Sequence, residues 1–206
     1  MQKKSFLLII ILMGTLLFYF SCEEKGVKQR VTARELINQG WPKFEARNFA
    51  GAGSDFSAAL SIATVTVDST DAFHGLGWAQ LRRDQGGLAE NSFIEHLSLS
   101  PGSNDGRAGL SFAYAASVTG KFREAIDTAN VVLSSNPTWT FSHDASINSD
   151  DLHLLLAQCY YDIAIFDSSL TQVINYYDPN FWQDVSTPAG KDTLSMKIQK
   201  WGSEIM

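Results

Sequence analysis

Charge is scarce in this chain of 206 residues: only 18% are Asp, Glu, Lys or Arg, and there are five prolines and two cysteines. Two cysteines cannot build a disulfide framework, and so few prolines exclude a Pro-rich linker protein. No apolar run reaches the ~20 residues of a membrane-spanning helix; Phe6–Phe20, with 15, is the longest. Catalytic signatures are missing too. No Gly-x-Ser-x-Gly elbow, His-Glu-x-x-His or phosphate-binding Gly-x-x-x-x-Gly-Lys occurs. Gly51-Ala52-Gly53-Ser54 is glycine-rich but follows no strand, and the acids fall on polar faces or helix starts. Glu45, a lone carboxylate near Trp41 and Phe44, reads as a solvated face residue. Nothing here supports an enzyme or a cofactor.

The amino end carries Lys3-Lys4, the apolar run, then Ser21-Cys22. That order suits an export signal, and it resembles a bacterial lipoprotein signal, in which a small residue precedes the cysteine that is acylated. Tyr19 and Phe20 depart from that pattern. The resemblance implies cleavage of residues 1–21, lipidation of Cys22 and an outer-membrane location, periplasmic or surface-facing. A membrane anchor that is never cleaved is the alternative. Removing 1–21 leaves 14 basic and 22 acidic residues, a formal charge of −8, which argues against nucleic acid as a partner. Residues 22–32 form a polar tether. Cys159 sits in an apolar helical pattern and reads as a buried small hydrophobe.

A hydrophobic formula then recurs four times. Small residues stand at Gly40, Gly77, Ala113 and Ala157, with others twelve positions on at Ala52, Ala89, Ala125 and Ser169. Sixteen positions after the starters come Phe56, Phe93, Ala129 and Val173, and twenty after come Leu60, Leu97, Leu133 and Tyr177. The starters lie 37, 36 and 44 residues apart, the period of a stacked helical hairpin. Small residues let helices cross closely while large ones fill the remaining space. Pro42, inside the first helical pattern, predicts a kink or a restart.

Phe73-x-x-Leu76-Gly77, then Ala89-x-x-x-Phe93 and Pro101, resembles a tetratricopeptide repeat. The resemblance covers 33–180 as three to four repeats, at about 33–66, 70–101, 106–137 and 150–180. It implies an all-α, right-handed solenoid of antiparallel hairpins whose first helices line a concave groove. Residues 181–206 read as a C-terminal capping helix, with Leu194, Ile198 and Trp201 aligned.

On the first helices, the residues after the starters are Trp41, Trp78, Tyr114 and Gln158. Trp41, Trp78 and Tyr114 form a candidate aromatic ladder, with Phe44, His74, Leu81, Arg82, Arg107, Leu110 and Tyr161 nearby. Aromatics and arginines dominate many interfaces, although the same rings could pack between helices. The wide spacing before the fourth unit contains Trp139, Phe141, His143, Asp144, Asn148, Ser149, Asp150, Asp151 and His153. Ser149 with Asp150 and Asp151 reads as a helix cap rather than a metal set, and Trp139 and Phe141 are expected to fold the loop onto the core. The whole implies a non-enzymatic scaffold or adaptor binding a protein or peptide, in envelope assembly or secretion. A small-ligand receptor for a glycan or cell-wall peptide is the alternative.

Overall fold

The computed structural model describes residues 30–205, with side chains through Ser203; the apolar run and Cys22 lie outside the described residues. Among these the chain is all-helical: α1 Ala33–Glu45, α2 Phe49–Ile62, α3 Thr66–Leu81, α4 Gly86–Leu99, α5 Asn104–Ala115, α6 Phe122–Ser135, α7 Ser149–Asp162, α8 Phe166–Tyr176 and α9 Pro188–Ile205. α1/α2, α3/α4, α5/α6 and α7/α8 pair as hairpins, each stacks on the next, and α9 covers α7 and α8. This is the right-handed tetratricopeptide-type solenoid with its terminal cap. No described helix is long and apolar enough to cross a membrane.

The helix ends have local causes. Thr32 and Glu35 form a capping box at α1, Asn48 accepts from the Gly51 amide at 3.0 Å, and Ser103 accepts from the Gly106 amide at 3.0 Å. The cap of α7 is Asn148, paired with Asp151, one residue earlier than Ser149, because the carboxamide reaches the first-turn amides. α1 runs through Pro42 without a break; the ring sits in the last turn, so the expected restart does not occur.

Every hairpin turns through a left-handed residue seven positions after its starter: Arg47 (φ 61°), Asp84 (φ 56°), Gly120 (φ 57°) and Ala164 (φ 60°). Asn48, Gln85 and Ile165 then donate backwards to the carbonyls of Lys43, Gln80 and Tyr160, the reverse bond that closes a helix end.

Crossing geometry explains the small residues. Phe56 fills the space against Gly40 and Gly75, and Phe93 that against Gly77 and Gly109; a Cβ at Gly77 would lie 2.8 Å from the Phe93 ring. In the fourth hairpin the buried Ser169 hydroxyl donates to the Ala157 carbonyl at 2.7 Å, so serine replaces alanine without an unpaired polar group. Cys159 is free and buried, and burial pushes its thiol up to about 12. A continuous core runs from Ala33 to Cys159, and a second cluster, with Leu170, Leu194, Ile198 and Trp201, seals the carboxyl end.

Candidate functional site

The residues that lengthen the last spacing form the loop between α6 and α7, and they lie against the first helices of the first two hairpins. The loop is internally braced. Phe141 donates its amide to the Ile147 carbonyl at 2.8 Å, Ser149 donates to the Trp139 carbonyl at 2.8 Å, and Thr140 and Asn148 form an isolated antiparallel bridge. Asp144 accepts from the Ser146 amide at 3.1 Å and its hydroxyl at 2.6 Å. Asp105, on α5, accepts from the Trp139 indole at 2.7 Å and from the Ser142 hydroxyl at 2.9 Å.

So held, the loop delivers Phe141 and His143 to the aromatic ladder. Phe141 stacks on Trp78 with centroids 4.1 Å apart, and meets Trp41, Phe44 and His74 edge-on at 6.3, 5.9 and 6.0 Å. His143 lies flat on Trp41 at 3.6 Å, with Nδ1 3.0 Å from Glu45 Oε1. Arg82 Nη1 stands 4.0 Å from Asp144 Oδ2. Glu45, exposed as expected, thus has a partner across the groove.

Beyond this filled half the concavity stays open as a cavity of about 280 Å³, lined by Trp78, Leu81, Arg82, Phe112, Ala116, Ile147 and Asp151. Its floor is apolar. Arg82 also lies over Phe49 at 5.0 Å. Burial raises the Asp151 carboxyl above its ordinary range, and one of its oxygens accepts from the Asn148 amide at 2.8 Å.

Behind the ladder, His74 accepts the Trp78 indole proton at 3.1 Å and stacks on His96 at 4.7 Å. Burial, then the nearby His96 and His143, lowers His74 to about 3. His96 donates Nδ1 to the Thr70 carbonyl at 3.0 Å, leaving its buried Nε2 without a partner.

The residues singled out from sequence therefore divide. Trp41, Phe44, His74 and Trp78 converge, but under Phe141 and His143; Phe44 and Trp78 are buried. Leu81 and Arg82 line the open cavity. Leu110 is buried in the core, Arg107 turns to the Pro101 carbonyl, and Tyr114 packs beside Lys121 at 5.4 Å. Tyr161 lies apart, edge-on to Phe166 at 5.2 Å in the C-terminal cluster. The ladder is therefore two rings closed by a third from the loop, and Tyr114 stands outside it. Ile147 and Asp151 were not readable as lining residues, since their approach depends on the path of the loop; Phe112 and Ala116 reach the cavity from α5 and its carboxyl end. Among the described residues no three His, Cys, Asp or Glu side chains group to hold a metal. His153 instead stacks on Tyr176 at 3.3 Å and bonds Gln172 at 2.9 Å.

No family model and no curated protein matches the sequence. Solved structures do match the fold. MamA MSR-1 C2 aligns with a TM-score of 0.56 at 14% identity, covering 85% of this chain and 83% of its own. TTC0263, a thermophilic TPR protein in Thermus thermophilus, aligns with a TM-score of 0.52 at 18% identity, covering 83% and 84%. Identities this low show the shared solenoid alone.

Proposed function

We propose that this chain is a non-enzymatic scaffold that holds a protein or peptide partner against its concave face and is tethered to the cell envelope by a lipid on Cys22. The observation that carries the reading is the open cavity beside Trp78. An apolar floor with a guanidinium and a carboxylate at its edges suits a partner's apolar side chain with polar flanks. The tether rests on Lys3-Lys4, Phe6–Phe20 and Ser21-Cys22. With that tether the protein sits at the outer membrane, periplasmic or surface-facing, where a membrane-bound partner meets it at raised effective concentration. An accessory role in envelope assembly or secretion is the narrower form, by analogy of fold.

Two substitutions test this reading. Ala116→Leu enlarges a side chain at the cavity; the partner recovered from membranes with the native protein should be lost from the folded variant. Equal recovery removes the cavity from the account. Cys22→Ser should move the protein to the soluble fraction, and retention at the membrane would point to an uncleaved anchor.

The loop over Trp41 and Trp78 shortens the groove, which favours a second reading, a receptor for a small glycan or cell-wall peptide. At about 280 Å³ the cavity falls just below the roughly 300–1,000 Å³ of drug-sized ligand sites, which restricts this reading to a small fragment. A thermal shift with such fragments, and no protein partner lost from Ala116→Leu, would select it.

A further inference from the structure

The edge of the solenoid at which α1 starts is apolar where α2 passes into α3 and where α4 ends. We propose that Ile62, Val65, Val67 and Leu99 form a docking edge for a phospholipid bilayer, the surface to which the lipid on Cys22 attaches the chain. The inference rests on the tether reading and adds an orientation to it.

Helix directions bring these side chains together. Arg34, in the first turn of α1, pairs with Asp68 at 2.5 Å and Asp71 at 2.6 Å in the first two turns of α3, so both helices start at one edge. Ile62 ends α2 there, and Val65 and Val67 bracket the start of α3. His96 Nδ1 on α4 meets the Thr70 carbonyl on α3 at 3.0 Å, and in this antiparallel pair Leu99 comes level with Val67. The four side chains belong to residues 40%, 50%, 59% and 40% exposed. No charged residue lies between Asp55 and Asp68, or between His96 and Asp105.

Two observations name a bilayer as the occupant. The polypeptide joins this edge at Thr32, the cap of α1, only ten residues after Cys22, which limits the acyl group to about 35 Å from it. Those ten residues carry Lys25, Lys28 and Arg30 and no acid after Glu24, a charge that suits phospholipid headgroups. The second observation is a cap that α3 forgoes. α1, α5 and α7 start at Thr32, Ser103 and Asn148, each accepting a first-turn amide, whereas α3 starts at Val65 with no side-chain cap. In water a polar residue there would serve the helix better; beside a lipid tether, apolar side chains gain by entering the interface. α3 then rises from the surface, and its run from Val67 to Leu81 holds the cavity at Trp78, Leu81 and Arg82 about 20 Å above the lipid, open to a partner.

The test uses the full, acylated chain in vesicles of phosphatidylethanolamine and phosphatidylglycerol. An environment-sensitive fluorophore is placed on Leu99→Cys or, as a control, on Leu88→Cys, which is also exposed but lies at the opposite end of α4. Lipids brominated high in the acyl chain should quench the label at 99 at least threefold more than the label at 88, and equal quenching overturns the inference. Val65→Asp with Val67→Asp supplies α3 with a cap and a first-turn charge that favour the helix, so the variant stays folded. Quenching at 99 should then fall to the level at 88; unchanged quenching removes the valines from the contact. Flotation of the vesicles reads the tether separately: a chain that floats with an unquenched label at 99 keeps the tether and loses the edge, and a chain that does not float loses both. A label at 99 that is shielded equally in detergent, by a concentration-dependent dimer, would give the edge to a second copy and sink the bilayer.

Discussion

Phe141 lies on Trp78 at 4.1 Å with ring planes 22° apart, and this contact, with those of Phe141 to His74 and Asp144 to Arg82, ties the junction of the third and fourth hairpins to the second. Stacked hairpins usually meet only their neighbours. Here the loop also reaches the first hairpin through His143 and Glu45, residues 98 apart in sequence. The contact makes the amino-terminal half of the solenoid less like a string of separable units, and it decides which part of the concave face stays open.

The crossing at Gly77 has no room for a methyl group. Gly77→Ala would place Cβ 2.8 Å from the Phe93 ring, itself buried between Gly77 and Gly109. Overpacking of this kind costs about 1–3 kcal/mol, which outweighs the gain in helix propensity of roughly 1 kcal/mol. Urea melts should show a lower midpoint with an unchanged slope, whereas a stabilised variant would mean that the crossing is looser than this.

Ala164 turns the fourth hairpin with φ 60°, where Cβ crowds the following carbonyl at a cost of roughly 1–2 kcal/mol. Gly120 occupies the same place in the third hairpin. Ala164→Gly should therefore stabilise the protein by about 0.5–1 kcal/mol after the entropy cost of glycine, seen as a rise in melting temperature.

Acid should weaken the fold before most carboxylates protonate. His74 is lowered to about 3 by burial, and His96 and His153 are lowered from the same first cause. In the unfolded chain a histidine titrates near 6.5, so between pH 6.5 and pH 3 the unfolded state binds more protons at His74 and stability falls as pH falls. Protonation would also remove the lone pair that accepts the Trp78 indole proton. Urea melts at pH 7.5 and pH 5 should differ in that direction. His74→Gln, which keeps an acceptor, should flatten the dependence; an identical slope in the variant would clear His74 of the effect.

Much of the fold was legible in the sequence because it is set by size at fixed intervals. Gly40 and Gly77 mark helix crossings, and Phe56 and Phe93 are the rings that fill them. The second set of small residues, Gly75 and Gly109, was hidden because it faces the ring of the preceding hairpin. The left-handed turns were equally obscured: only Gly120 advertises one, while Arg47, Asp84 and Ala164 adopt it under tertiary control. The convergence of Trp41, Phe44, His74 and Trp78 followed from repeat spacing. What spacing could not convey was that Phe141 would lie across them, since an insertion has no register. Asn148 took the cap from Ser149 for a related reason: both can cap, and only the path of the loop chooses.

The most direct test of the concave face as the binding surface is a photo-crosslinking amino acid placed at Ala116, beside the open cavity, and separately at Val131, which is exposed on α6. Irradiated in cells that express the membrane-tethered protein, the probe at 116 should give a discrete protein adduct, and the probe at 131 should give none. An adduct from 131 with none from 116 would contradict the account and move the interaction to the outer helices.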